Sequence, residues 1–302
     1  FRVIFILAHV RRVLNPGQMV NLTSIKVVAI IIMFAVAFGG GFVPTRLNRN
    51  NDQHKQWFSL ANVFAAGVFL TSGLVHMLAE AAAGFIEHQK DPHGKMQHAV
   101  EEGIFLACAL CLSGIYLTLF VEKVLLGEHV HSHGVPLMDE ESNGSTKSPR
   151  AQSSLMPYIL MILLSVHSVV EGLAIGVEDT VPAARNAMLG IIPHKTLAGL
   201  AISMNLLKAN VPHGSWLRAL LCFSLSTPLG ILIGMQVPSM TSDSSFTGDC
   251  FKAIASGTFL YVGLVEMLMP ELHTDRHSKF LLLVGGSLAM AWMEMHGHQH
   301  EH

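Results

Sequence analysis

A histidine and a carboxylate one helical turn apart are the residues of this sequence best suited to chemistry. His167 and Glu171 lie four positions apart within an apolar run, so a helix places both side chains on one face. An imidazole and a carboxylate so placed can share one divalent cation, at about 2 Å from each ligand atom. Ser168 lies at the edge of that face and could add an oxygen. The alternative interpretation is a His–Glu hydrogen bond that joins two helices.

A second polar turn interrupts the next apolar run. Pro193 immediately precedes His194, and Lys195 follows it. An ionisable residue deep in a membrane helix costs free energy and is a functional candidate by default. Lys195 is hard to explain there as an isolated charge. Its presence is reasonable if its ammonium pairs with Glu171 or takes the place of a second metal. A buried histidine with satisfied hydrogen bonds is the alternative for His194, and the presence of His-centred turns in two adjacent runs weakens it.

The composition indicates a membrane protein. The 302 residues are 51% hydrophobic and only 13% charged, about half the charged fraction usual in soluble domains. Apolar runs of about 20 residues recur, each long enough to cross the hydrocarbon core, where only a helix satisfies its own backbone. We predict an all-α polytopic membrane protein with eight transmembrane helices in a bundle. The predicted spans cover residues 26–46, 57–83, 101–126, 155–177, 185–207, 216–236, 250–270 and 279–295.

The spans divide the chain into segments. Residues 1–18 open with Phe1, and the apolar stretch Phe1–Val10 is too short to span, so we expect either a signal fragment or a misassigned gene start before a natural start at Met19. Spans one to three fill residues 19–126, and spans four to eight fill residues 155–295. Between them, residues 127–154 form a polar loop that contains His129, His131 and His133. Residues 296–302 form a His-rich tail. Such His tracts are typical of weak metal-binding segments.

Charge in the loops predicts the orientation. Most of the Lys and Arg residues lie in loops that follow odd-numbered spans, so these loops are predicted to be cytoplasmic. Both termini then face the outside or a lumen, in agreement with the sequon that begins at Asn21. We expect an integral protein of the plasma membrane rather than of an internal membrane. No basic run indicates nucleic-acid binding.

The two polar turns together resemble the ZIP family of zinc and iron permeases. The run His-Ser-Val-Val-Glu-Gly-Leu-Ala-Ile-Gly at 167–176, followed by His-Lys-x-x-Ala at 194–198, carries the resemblance. Segments of span two (67–80) and span seven (255–271) are also similar to family segments. The eight spans, the outward termini and a His-rich loop between spans three and four extend the resemblance over nearly the whole chain from Met19.

The resemblance implies a role for particular residues. His167, Glu171 and His194 are implied as metal ligands, with Ser168 bordering the site. His76 and Glu80 are implied to line the pathway and to sense protons. Further residues near the pathway are Lys195, Glu266 and Glu271, and the accessory metal-binding loop holds His129, His131 and His133.

One departure from the family pattern bears on the number of metals. Some family members carry a second carboxylate four residues after the histidine of span five and bind two metals. This chain has Ala198 at that position and Lys195 directly after the histidine. We therefore predict one metal in the central site. The pattern is similar to the branch of the family that contains animal zinc importers.

The predicted function is transport of a divalent metal toward the cytoplasm. One carboxylate and two imidazoles suit Zn²⁺ and tolerate Fe²⁺, Mn²⁺ or Cd²⁺. The metal is the transported substrate, and we expect no cofactor and no enzymatic activity. The small-residue faces of spans four and five permit a homodimer. The alternatives are an intramembrane zinc-dependent hydrolase, a haem protein with two axial histidines, and a passive channel with the same ligands.

Overall fold

The structure, a computed structural model, describes residues 21–46, 52–89, 96–125, 149–237, 244–271 and 276–298. Within these ranges the chain is helical apart from short turns, and it has no strand, so the predicted all-α class is confirmed. Eight helical segments follow one another: α1 (Leu22–Phe42), α2 (Asp52–Thr71, Ser72–Leu78 and Ala79–His88), α3 (Met96–Phe120 and Val121–Leu125), α4 (Pro149–Val177), α5 (Val181–Lys208), α6 (His213–Gly234), α7 (Ser244–Tyr261, Val262–Leu268 and Met269–Glu271) and α8 (Arg276–His298).

Seven helices of the described chain are long and apolar enough to cross a membrane. They coincide in position with the first seven predicted spans; the largest differences in boundary are at His88, against 83, and at Ser245, against 250. The eighth predicted span forms the helix α8. This helix is not one of the seven, so its crossing of the membrane stays a prediction. The seven spans are Leu22–Thr45, Gln56–His88, Gln97–Val124, Tyr158–Val177, Val181–Lys208, His213–Gly234 and Ser245–Glu271.

The helices α4 and α5 form the centre of the bundle. In each, 67% of the most apolar stretch is buried, against 28% in α3. Large apolar side chains cover the outer surface instead, for example Phe105 on α3, Leu229 on α6 and Leu281 on α8. Such a surface is what a bilayer covers, since lipid offers no hydrogen-bond partner to polar groups. The polar side chains that a reaction or a ligand would need therefore collect between the helices.

A tight connection joins the two central helices. α4 ends at Val177, and α5 begins four residues later at Val181. Thr180 caps α5, because its Oγ1 accepts a hydrogen bond from the Ala183 amide at 3.3 Å, and Pro182 in the first turn needs no partner for a missing N–H. The short connection makes α4 and α5 neighbours. Their two polar turns can therefore face each other.

Glycines allow α4 to approach α6 closely. Gly172 and Gly176 lie against Gly230 and Gly234, and a Cβ on Gly172 would come within 2.9 Å of the Gly230 Cα. On α5, Gly199 lies similarly against the backbone of α1. The small-residue faces of α4 and α5 are thus covered within one chain. The homodimer stays a prediction, and these covered faces do not support it.

Among the described residues, three helices contain a π-helical segment, and each segment carries an ionisable side chain. His76 lies in Ser72–Leu78 of α2, and Glu266 lies in Val262–Leu268 of α7. The third segment ends α3. Single π-helical turns inside α-helices occur frequently at functional sites. The π-helical segments therefore make α2 and α7 candidates to contribute functional residues beside the central pair.

Candidate metal centre

The two polar turns meet between α4 and α5. Glu171 Oε1 lies 2.6 Å from His194 Nε2 and 3.6 Å from His167 Nε2. All three side chains are buried, and one ligand atom from each lies within 4.8 Å of the others. In the described part of the chain, this is the one group of three or more His, Cys, Asp or Glu residues so closely spaced. Two imidazoles and a carboxylate at this spacing are of the types and at the separation that one divalent cation could use as ligands.

The other helices fix the orientation of His167. Its Nδ1 lies 2.8 Å from Thr258 Oγ1 and 3.2 Å from the Ala255 carbonyl oxygen. The Thr258 hydroxyl donates to that same carbonyl at 2.7 Å, so it accepts from the imidazole and Nδ1 carries the proton. Nε2 then has a lone pair, and it is buried without a hydrogen-bond partner. A metal-ligating histidine commonly donates its other ring N–H in this way.

An aromatic ring of α7 contacts both imidazoles. The Phe259 ring stacks on His167 with centroids 4.1 Å apart and meets His194 edge-on at 5.0 Å. On its other side it stacks on Phe69 of α2 at 4.3 Å. Phe259 therefore excludes water from one side of the imidazole pair and links α7 to α2.

Lys195 lies within the same site. Its ammonium is 3.4 Å from Glu171 Oε2, the carboxylate oxygen that does not face His194. It also donates to the Ser168 hydroxyl and lies 4.6 Å from the centre of the Phe223 ring on α6. With 1% of its surface exposed, Lys195 is a buried cation that needs its anionic partner. One carboxylate oxygen is thus paired with Lys195, and the other faces the imidazoles.

The predicted pathway residues of α2 lie close to this site and contact α8. His76 Nδ1 is 3.3 Å from Glu80 Oε1 and 3.2 Å from Glu294 Oε2. The other edge of the ring packs against Gly190, where a Cβ would collide with it. Gly190 precedes His194 by four residues, so the His76 ring lies one turn of α5 from the central site.

The two glutamates of α7 lie away from the imidazoles. Glu266 follows Phe259 by seven residues. Its side chain forms a hydrogen bond with Glu122, at the end of α3. Glu271 ends α7 and accepts from Lys208 Nζ at 2.8 Å and Asn62 Nδ2 at 3.1 Å. It therefore ties the end of α7 to α5 and α2. The structure does not bring either glutamate into the group of His167, Glu171 and His194.

Thr258, Phe259 and Glu294 contact predicted site residues, and the sequence analysis named none of the three as a site residue. Thr258 and Phe259 carry no sequence signal, because their contacts depend on how α7 packs. Glu294 had a signal: it is a carboxylate inside the eighth predicted span, the kind of residue that intramembrane cost singles out. The predicted accessory histidines His129, His131 and His133 lie outside the described residues, as do residues 1–18, most of the 127–154 loop and the last four residues of the tail.

The fold and the site together define a class of protein: a helical membrane bundle with a buried, closely spaced set of metal-ligand side chains at its centre. The sequence profile of the family described as "ZIP Zinc transporter" matches residues 23–134 and 126–294. The chain therefore belongs to the ZIP family. Both polar turns lie within the matched residues.

Two animal relatives match along nearly their whole length, and a third protein matches over a shorter segment. The "Zinc transporter ZIP1" of Danio rerio is 27% identical over 300 residues, which cover 89% of this chain and 97% of that protein. The "Zinc transporter ZIP2" of Homo sapiens is 27% identical over 310 residues, 92% of this chain and 99% of that protein. "Protein zntD" of Dictyostelium discoideum is 36% identical over a shorter 168 residues, 53% of this chain and 24% of that protein.

Proposed function

We propose that this protein carries Zn²⁺ across a membrane toward the cytoplasm, through a site formed by His167, Glu171 and His194. The observation that carries the proposal is the convergence of three buried ligand side chains from α4 and α5 on one point. Membership of the ZIP family and full-length similarity to zinc transporters support zinc as the substrate. The same ligand set tolerates Fe²⁺, Mn²⁺ and Cd²⁺.

Binding exchanges a hydrogen bond for metal coordination. His194 Nε2 lies 2.6 Å from Glu171 Oε1, so in the metal-free site the imidazole and the carboxylate share a proton. Zn²⁺ displaces that proton, since imidazole and carboxylate ligands bind metal only when deprotonated. His167 needs no rearrangement, because its Nε2 already faces the carboxylate and its Nδ1 proton is held by Thr258. Ser168 borders the ion rather than binds it, since its hydroxyl donates to the Leu164 carbonyl and accepts from Lys195.

The resident ammonium of Lys195 favours release. Glu171 has a single negative charge, and Lys195 neutralises it from the side opposite the imidazoles. A divalent cation that enters the site is therefore repelled by a cation that cannot leave. Repulsion between buried charges is substantial, about 4 kcal/mol for unit charges 4 Å apart at an effective dielectric constant of 20. A carrier needs such a weakened site, whereas a structural zinc site does not. The same ammonium puts a positive charge on the side of Glu171 away from the imidazoles, where a second cation would be repelled, and this supports a single ion in the central site.

The alternative functions fit the geometry less well. A zinc hydrolase needs a carboxylate free to accept a proton from a metal-bound water, and both oxygens of Glu171 are engaged, by His194 and Lys195. An axial haem pair needs an open slot between two histidines, and Glu171 Oε1 lies within 3.6 Å of both imidazole nitrogens.

The distribution of Lys and Arg orients the proposed transport. With both termini outside, the beginning of α5 lies on the outer side, and Zn²⁺ passes from there toward the end of α5 at Lys208. We place the protein in the plasma membrane. On the cytoplasmic side His129, His131 and His133 are positioned by sequence to receive the ion.

Uptake of ⁶⁵Zn in cells tests the proposal. Wild type and Glu171→Ala are compared at matched surface levels, and His167→Ala provides a second ligand variant. The matched control is Glu102→Ala, since Glu102 forms an exposed pair with His98 at the same four-residue spacing, 3.1 Å apart. We expect saturable uptake in wild type and the control and none in the ligand variants. Wild-type uptake in Glu171→Ala would refute the site; no uptake by surface-expressed wild type would refute the function.

A further inference from the structure

An ion pair joins the connection between the two central helices to α7. Glu178 directly follows the last residue of α4, and its Oε1 lies 2.9 Å from Lys252 Nζ on α7. The side chain of Glu178 is 4% exposed and that of Lys252 is 17% exposed. These two residues are called the outer pair below, since the distribution of Lys and Arg places this end of α4 on the outer side.

The outer pair lies outward of the central site. Glu178 follows Glu171 by seven residues, and Lys252 precedes Phe259 by the same number. Seven residues correspond to about two helical turns, or about 10.5 Å. Both members of the pair therefore lie at one level, between the central site and the outer surface.

Close packing of α4 on α7 accompanies the outer pair. A Cβ on Gly248 of α7 would lie 3.2 Å from Val177 Cγ2 and 3.6 Å from Glu178 Oε1. Asp249, from within α7, lies 3.3 Å from the ammonium of the pair, and Glu80 on α2 adds a negative charge nearby. The end of α4 is thus held directly against α7, and the link between the two elements is ionic.

We propose that the outer pair is a gate, which closes the outer route to the central site and opens to admit Zn²⁺. A carrier exposes its site to one side of the membrane at a time, so the contacts that close the outer side must break before the ion enters. The contact of Glu178 with Lys252 joins two separate elements at this level. The inference rests on the proposed function, since it assigns to the pair the control of access for the proposed cargo.

The energetics of the outer pair suit a contact that opens and closes. A buried ion pair loses much of its attraction to desolvation, so water repays much of that attraction when α4 and α7 separate. An approaching Zn²⁺ repels the ammonium of Lys252 and attracts the carboxylate of Glu178. The entering ion therefore favours the open state of the gate.

The accessibility of a cysteine on the inner side of the outer pair tests the inference. Ala174 is 4% exposed and lies on α4 between Glu171 and Glu178, so Ala174→Cys places a thiol behind the closed pair. Intact cells that express this parent variant are treated, without added zinc, with a charged thiol reagent that does not cross membranes. Mass spectrometry of the peptide that contains residue 174 measures the rate of labelling, so the native cysteines do not interfere.

Loss of either member of the pair should speed the labelling. Lys252→Met and Glu178→Met, each combined with Ala174→Cys, should label about tenfold faster or more than the parent, since minor conformations are commonly populated at about 0.1–10%. Asp249→Asn is the matched control, because it removes a carboxylate from the same ammonium but leaves the contact of α4 with α7. Lys26→Met removes a buried lysine that contacts the Gly176 carbonyl from α1 and controls for general loosening. Both controls should label at the rate of the parent.

Labelling at the parent rate in both Lys252→Met and Glu178→Met would overturn the inference. An equal acceleration by either control would also overturn it, because the labelling would then report a general change in the protein rather than separation of α4 from α7. The labelling requires no zinc transport. Uptake of ⁶⁵Zn by wild type therefore tests the proposed function by itself, and a failure of one is distinguishable from a failure of the other.

Discussion

Thr258 Oγ1 on α7 lies 2.8 Å from His167 Nδ1 on α4. The Thr258 hydroxyl donates its hydrogen bond to the Ala255 carbonyl oxygen at 2.7 Å, so it can only accept from the imidazole. This relationship fixes the tautomer of His167 and directs the lone pair of Nε2 toward Glu171. It also makes the metal-binding geometry of α4 depend on the position of α7.

Replacement of Thr258 by valine should weaken zinc uptake by raising KM. Valine keeps the shape but removes the oxygen that holds the Nδ1 proton, and the loss of a group that supports a metal ligand typically costs about 10-fold or more in affinity. Thr258→Ser keeps the hydroxyl and should remain near wild type. The measurement is the concentration dependence of ⁶⁵Zn uptake at matched surface levels.

Ser256→Ala is the control for this prediction. Ser256 is buried on the same helix, and its hydroxyl donates to the Ala253 carbonyl of its own helix at 2.8 Å. Its removal should leave KM unchanged. If Thr258→Val transports zinc with the wild-type KM, or if Thr258→Ser is as impaired as the valine variant, then the hydroxyl does not orient His167.

Replacement of Lys195 by methionine should make the stability of the protein depend on zinc. Without the ammonium at 3.4 Å, Glu171 loses the cationic partner of its Oε2 in the metal-free protein, and breaking a buried ion pair in this way costs about 3–5 kcal/mol. Zinc then replaces the missing cation and restores stability by mass action. Thermal unfolding of the purified variant with and without Zn²⁺ measures the effect. The same change should lower KM and slow uptake at saturation, since release becomes harder.

Lys26→Met separates this effect from the loss of any buried lysine. Lys26 is 5% exposed and donates to the Gly176 carbonyl at 2.6 Å, away from the central site. The Lys26→Met variant should lose the same amount of thermal stability in the presence and in the absence of zinc. An equal response to zinc in the two variants, or unaltered uptake kinetics in Lys195→Met, would contradict the proposed role of Lys195.

The sequence predicts those features of the fold and the site that depend on residues close together along the chain. Span positions follow from local hydropathy, and the pairing of His167 with Glu171 follows from the helical period. Thr258 and Phe259 could not be predicted, because their contacts depend on how α7 packs between α2 and α4. Glu294 lies between these cases. The sequence shows a carboxylate within predicted span eight, where burial costs free energy. Its contact with His76 could not be predicted, because that contact depends on how α8 packs on α2.

Gly172→Ala should destabilise the bundle. A Cβ at this position would meet the backbone of Thr227 and Gly230 on α6, and overpacking of a rigid contact costs about 1–3 kcal/mol. Gly39 on α1 is the matched control, because nothing lies within 4 Å of its would-be Cβ and alanine is the better helix former by about 0.8–1.0 kcal/mol. Thermal unfolding in detergent should therefore shift down for Gly172→Ala and not for Gly39→Ala. Equal stability of both variants would contradict the close packing of α4 on α6.

External acid should reduce zinc uptake by competition. His167, His194 and Glu171 must be deprotonated to bind Zn²⁺, so metal binding releases protons and acid opposes it. A fall in pH should therefore raise KM while leaving the rate at saturating zinc nearly unchanged. The measurement is ⁶⁵Zn uptake over a range of zinc concentrations as external pH falls from neutral to about 5, across the range in which histidines take up protons. Uptake that is unchanged to the acid end would contradict protonatable ligands in the path. A fall in the saturating rate with an unchanged KM would place the effect of protons on a step after zinc binding.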